Sequence, residues 1–144
     1  METVFFSLYY PISPNASSSK PRHPWLGDPV SLVADGIVRS ANSTSISPDL
    51  VLLGLNAIRG IITIPAEADV PISNLTNTSF PILLFSHGDG SIRTWYSQYL
   101  GLVAAQGYVV GAVEHRDGSA AGSVVVLKGG ASRNVAYITP DQLG

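Results

Sequence analysis

The sequence predicts an α/β fold, and three stretches predict it. Residues 81–90 read Pro-Ile-Leu-Leu-Phe-Ser-His-Gly-Asp-Gly, an apolar run that ends in a glycine turn. Residues 82–85 lack the alternation of a strand wet on one side, so they read as a strand covered on both faces, as in a parallel sheet. After the turn, residues 92–106 carry helical spacing, with Tyr96, Leu100 and Val103 on one face and Gly107 as the stop. A second apolar strand follows over residues 108–113 and ends in Glu114-His115-Arg116-Asp117. Strand, turn, helix, strand is a βαβ unit with a right-handed crossover. Its charged strand ends lie where open α/β sheets build their sites.

The other elements follow in chain order. Residues 4–10 read as a strand closed by Pro11, and residues 13–20 as a polar surface loop. The chain stays irregular through Pro21, Pro24 and Pro29. Residues 32–38, interrupted by Asp35-Gly36, read as a short helix or a turn. Ser47-Pro48-Asp49 is a helix start, with an N-cap, a proline in the first turn and an early acid, and Gly60 is the stop. Gly54 weakens that helix by about 1 kcal/mol relative to alanine. Residues 61–64 read as extended and end at Pro65. Residues 124–127 read as a short strand before a Lys128-Gly129-Gly130 turn, and residues 135–144 as a tail with no helix or strand.

Composition narrows the function. The 144 residues allow one domain, and charged residues make up 12%, against roughly 25% in ordinary soluble domains. So low a fraction points to surface meant to be covered by more chain. A net charge of −2 provides no basic footprint, so nucleic acid is not an expected partner. Without cysteine there is no disulfide, thiolate nucleophile or cysteine-ligated metal. His23, His87 and His115 are not at metal-ligand spacing, so no metal is expected. No apolar run approaches the roughly 20 residues of a membrane span. The acidic Glu2 stands where a signal peptide carries positive charge. Asn-x-Ser/Thr sequons begin at Asn15, Asn42, Asn74 and Asn77; they suit secretion of a longer form and also arise by chance in such loops, so localisation stays open.

Phe85-Ser86-His87-Gly88-x-Gly90, Arg93-Thr94-x-Tyr96-Ser97 and Ala112-Val113-Glu114-His115-Arg116-Asp117 together resemble the α/β-hydrolase family of platelet-activating-factor acetylhydrolases of the plasma and isoform II type. Tyr9-Tyr10-Pro11 is similar to that family's early strand. The resemblance implies hydrolysis of the short sn-2 acyl ester of ether phospholipids, with a phospholipid or short-chain ester as partner and no cofactor. It also implies an incomplete α/β-hydrolase: residues 1–144 form the N-terminal half of a mostly parallel sheet with flanking helices, ending before the nucleophile elbow.

An ester hydrolase of this fold needs a serine on a strand-to-helix elbow, a histidine base, an acid and two N–H donors for the oxyanion. The His87-Gly88-Asp89-Gly90 turn corresponds to the loop that supplies one donor, so the main-chain N–H of Asp89 is the candidate, with His87 and Gly88 shaping the loop. His87 is expected to position the loop rather than act as base. The family as known carries an apolar residue at position 89, and a carboxylate facing the oxyanion would oppose its charge. Asp89 is therefore expected to turn outward and cap the helix from Ile92.

The elbow is not found. No Gly-x-Ser-x-Gly occurs, and Gly130-Ala131-Ser132-Arg133-Asn134 lacks the second glycine. All three histidines precede Ser132, whereas the fold orders its triad Ser, acid, His. Nucleophile, acid and base are thus expected beyond Gly144, and the chain alone is expected to be inactive. Glu114-His115-Arg116-Asp117 reads as a charged network that fixes its loop; its likeness to a kinase His-Arg-Asp fails because Gly122 stands where the asparagine belongs. Two other classes remain. A Rossmann-like nucleotide module would use Gly88-x-Gly90 and Glu114, but Arg93 occupies its third glycine position. A non-catalytic fragment or pseudoenzyme would only bind a partner.

Overall fold

The computed structural model describes residues 4–73 and 79–142. The sequons at Asn74 and Asn77 lie outside them; Asn15 and Asn42 sit on exposed turns. The described elements are β1 (Phe6–Tyr9), α1 (Val30–Ser40), α2 (Pro48–Arg59), β2 (Ile82–Ser86), α3 (Ser97–Ala105), β3 (Val109–Val113), β4 (Gly122–Val126) and β5 (Ser132–Ala136), then a 3-10 turn at Pro140–Gln142.

The predicted βαβ unit is present: β2 and β3 pair in parallel, with Leu84 opposite Gly111 and Ser86 opposite Val113. The order is β1-β3-β2, and β1 runs antiparallel to β3, Leu8 facing Gly111. Strands β4 and β5 form a separate antiparallel pair. The described strands therefore make a mixed arrangement rather than a mostly parallel sheet.

Side chains alternate across a strand, which divides the sheet into two unlike faces. On one face Tyr9, Val110 and Ala112 pack with Leu100 and Ala104 of α3, and Ile64 joins them. The other face carries Phe6 and Leu8 of β1 with Ile82 and Leu84 of β2, and Ile82 and Leu84 are 71% and 81% exposed. The expectation that residues 82–85 are covered on both faces thus fails in this chain. Strand β2 lies at the sheet edge, and α3 covers only one face.

Helix α3 begins later than its spacing predicts. Residues 93–96 turn through bonds such as Trp95 N–H to Ile92 O and Ser97 N–H to Thr94 O, and the helix starts at Ser97 with Tyr96 as its N-cap. Gly107, at φ +95°, ends the segment as expected.

The ambiguous 32–38 stretch is a full helix. Its Asp35-Gly36 interruption has a packing cause: a Cβ at Gly36 would lie 1.7 Å from the Ala121 carbonyl oxygen, so α1 and the start of β4 touch main chain to main chain. Val33, Ile92 and Ala121 form a second small core there, with Ile37, Leu55 and Trp95 against it. Helix α2 starts as predicted: the Ser47 hydroxyl accepts from the Asp49 N–H at 3.2 Å, and Pro48 occupies the first turn.

Residues 61–64 form only one bridge, Pro24 to Thr63. Pro24 and Pro65 lack the N–H a longer ladder needs. A strand not foreseen, β5, begins before the tail and runs into its first two residues. Gly129 and Gly130, at φ +100° and +87°, turn the chain, and β5 returns along β4 with Ser132 opposite Val126. Ser132 therefore sits in a hairpin, not on an elbow.

Candidate active site

The loops after β2 and β3 lie side by side at the carboxyl ends of the parallel pair. Gly90 N–H donates to Ser119 O at 2.8 Å, and Ala121 N–H to Ser91 O at 3.0 Å. Gly90 has φ +66°, and a Cβ there would meet the Ser40 side chain at 2.8 Å, so the turn needs glycine at this position on both counts. Gly88 is under no such demand, since a Cβ would approach only the Tyr96 hydroxyl, at 3.9 Å.

A buried ionic group supports the two loops. His87 Nε2 lies 2.9 Å from Glu114 Oε1, and Arg93 Nη1 donates to Glu114 Oε2 at 2.7 Å; the His87 and Glu114 side chains are 0% and 2% exposed. Arg93 Nε also donates to Ser7 Oγ at 2.9 Å, and its guanidinium lies 3.8 Å from the centre of the Phe5 ring. A carboxylate this deep is tolerable only when paired on both oxygens, as here. The expected network around Glu114-His115-Arg116-Asp117 therefore exists, but Glu114 draws its partners from other elements.

Both ring nitrogens of His87 face acceptors. Nδ1 lies 2.9 Å from Gly88 O, and Nε2 faces Glu114, with the His115 N–H a longer 3.3 Å from the same nitrogen. Burial lowers the His87 pKa, but the Glu114 and Gly88 hydrogen bonds and the charges of Glu114 and Asp117 outweigh it, and the net shift is upward. Engaged at both nitrogens by Gly88 and Glu114, the ring is placed to hold the loop. The His115 ring stacks on it, centroids 3.9 Å apart.

The Gly88 carbonyl is held by His87 Nδ1 and, at 3.3 Å, by the Ser91 N–H. That carbonyl and the Asp89 N–H belong to one planar trans peptide and point in opposite directions. Among the described residues the Asp89 N–H has no hydrogen-bond partner. The Asp89 side chain departs from expectation. Its carboxylate accepts from the Tyr137 hydroxyl at 2.7 Å and lines a cavity of about 160 Å³ with Asp117, Gly118, Ser119 and Ile138. Helix α3 has no side-chain cap, because it starts eight residues downstream of Asp89, too far for that carboxylate to reach its first turn.

Glu114 cannot serve a nucleotide ribose, since His87 and Arg93 take both its oxygens. That removes the anchor of the Rossmann-like reading.

The model of the family described as platelet-activating factor acetylhydrolase, isoform II, matches residues 1–137. The chain belongs to this family. Platelet-activating factor acetylhydrolase of Cavia porcellus is 32% identical over 120 residues, covering 83% of this chain and 25% of that protein. The same-named protein of Gallus gallus is 42% identical over 69 residues, covering 48% of this chain and 16% of that protein. That of Canis lupus familiaris is 44% identical over 61 residues, covering 42% and 13%. The chain spans a quarter or less of the length of these curated relatives.

In this platelet-activating factor acetylhydrolase family member, the structure brings His87, Gly88 and Asp89 together with Glu114 and His115, and places Ser132 in the β4–β5 hairpin. Sequence reasoning did not single out Ser86, Ser119 or Tyr137 for a role. Ser86 stood inside the quoted motif, and Ser119 two residues after Asp117, but only the fold shows that they flank one histidine. Tyr137 carried no signal, because the strand that delivers it was not foreseen.

Proposed function

We propose that this chain carries the oxyanion loop of a serine ester hydrolase that removes the short sn-2 acyl group of platelet-activating factor and related phospholipids. The observation that carries this reading is the Asp89 main-chain N–H, turned away from the carbonyl that His87 holds and left unpaired among the described residues. As the ester carbonyl becomes tetrahedral its oxygen gains charge, and an N–H fixed beforehand stabilises it without reorganisation. His87 and Gly88 position that N–H, and the Glu114–Arg93 pair holds His87. The seryl nucleophile, its acid and its base come, in this reading, from outside the 144 residues, in keeping with the share of the relatives that the chain spans. The residues described here form the N-terminal part of one α/β-hydrolase domain, and the exposed face of Ile82 and Leu84 receives the rest of it.

The test joins this chain to the carboxyl-terminal half of a family member and replaces the Asp89 N–H by an ester oxygen, using an α-hydroxy acid at position 89. With a short sn-2 acyl phospholipid, kcat should fall about 100-fold or more while KM changes little. An unchanged kcat would refute the donor role. A joined parent with no turnover would favour a binding-only protein.

A further inference from the structure

We propose that Ser86 is a reactive hydroxyl that accepts an acyl or phosphonyl group from small activated esters, independently of the oxyanion-loop reading above. Ser86 Oγ lies 2.6 Å from His115 Nε2, His115 Nδ1 lies 2.8 Å from Ser119 Oγ, and Ser119 Oγ lies 2.7 Å from Asp117 Oδ1. The Ser119 N–H donates to the same carboxylate oxygen at 2.9 Å, and these two bonds hold the Asp117 pKa below its ordinary value.

The chain has one direction. The ionised Asp117 only accepts, so the Ser119 hydroxyl donates to it and its oxygen is left to accept from Nδ1–H of His115. In the neutral imidazole that arrangement puts the proton on Nδ1 and the lone pair on Nε2, facing the Ser86 hydroxyl. The polarity is that of a carboxylate-oriented histidine taking a serine proton, with one hydroxyl interposed. Stacking on His87 restrains the ring.

Location indicates which reagents fit. Ser86 is exposed and ends β2 on the same face as Ile82 and Leu84, opposite Val113, which in turn faces Phe6. In the 144-residue chain the Ser86 hydroxyl is open to small activated esters. In the step, the Ser86 O–H bond breaks, its proton passes to His115 Nε2, and a bond forms from Oγ to the acyl carbon. The leaving phenolate departs with the electron pair and takes up the proton. With a fluorophosphonate, the bond forms to phosphorus and fluoride leaves.

The experiment treats the 144-residue chain with p-nitrophenyl acetate and with a fluorophosphonate, then maps the adduct by peptide mass spectrometry. The expected result is one adduct, on Ser86, absent in Ser86→Ala and unchanged in Ser132→Ala. His115→Gln should slow its formation about 100-fold, the scale of a positioned general base. Ser119→Ala should slow it by a smaller factor while leaving the Ser86–His115 contact in place. It keeps the test available if His115→Gln does not fold, as judged by circular dichroism. No adduct on Ser86 overturns the proposal. So does an adduct that forms equally fast in folded His115→Gln, or in Ser119→Ala where His115→Gln is unfolded.

Discussion

His87 Nδ1 lies 2.9 Å from the carbonyl oxygen of the residue that follows it, Gly88, so the side chain restrains the peptide unit next in line. The other nitrogen of the same ring is anchored 2.9 Å from Glu114, which makes the imidazole a strut between a buried carboxylate and the turn.

That strut is charge-dependent. The folded-state pKa of His87 is raised, so its contribution is fully present below the unfolded histidine value of about 6.5 and is lost as pH rises through the folded value. Unfolding free energy of the parent should therefore decline on the alkaline side of pH 6.5. In His87→Gln this part of the slope should vanish; denaturant melts from pH 5.5 to 8.5 on both proteins decide. Equal slopes would mean that His87 is not the group responsible.

Two helical glycines should respond oppositely to alanine. Gly36→Ala drives a methyl into the Ala121 carbonyl and should destabilise by about 3 kcal/mol or prevent folding. Gly54→Ala, with nothing within 4 Å, should stabilise by up to about 1 kcal/mol. Thermal or urea melts read both, and a tolerated Gly36→Ala would show that α1 stands further from β4.

Asp89 is engaged by Tyr137, so its carboxylate need not oppose an oxyanion. In the joined enzyme, Asp89→Leu should change turnover of a short-chain ester by less than about threefold, because only the main-chain N–H is asked to face substrate. A tenfold rise would place the carboxylate in the site. The Tyr137 hydroxyl has its pKa raised, first by the bond it donates to Asp89, so Asp89→Leu should also lower the alkaline titration midpoint of that tyrosine.

The uncovered sheet face should govern solubility of the isolated chain. Ile82→Thr and Leu84→Thr keep β-branching or add it while reducing the apolar patch. Light scattering should fall, and stability should stay within about 0.5 kcal/mol of the parent, as for exposed positions. A loss above 2 kcal/mol would show that a second copy or a rearranged chain already covers this face.

The sequence made the βαβ unit legible because its signals are local: an apolar run, a glycine turn, helical spacing and a stop at Gly107. Capping chemistry at Ser47 was equally local. The antiparallel placement of β1 and the return of β5 were not legible, since Ser132, Arg133 and Asn134 have weak strand preference and only pairing with β4 makes them one. Burial of 82–85 was misread for a related reason: the pattern reports what covers a strand in a finished sheet, and among the described residues nothing covers the outer face of Ile82 and Leu84. At the candidate site, the motifs singled out His87, Glu114 and His115, which the fold brings together. The Tyr137–Asp89 contact joins residues 48 apart and leaves no trace in either neighbourhood.

The contact between Gly36 and Ala121 also has a mechanical meaning. Side chains that separate two elements act as cushions, shifting rotamer to absorb small displacements, and although Val33 and Ile37 pack nearby, none intervenes at Gly36 itself. At that point a shift of α1 presses directly on the main chain of residues 120–122. From there the pairing of Ser91 with Ala120 and the Ser119-to-Gly90 bond carry it into the turn that holds Asp89. The first helix, far from the loop in sequence, is thus only a few main-chain contacts away from it.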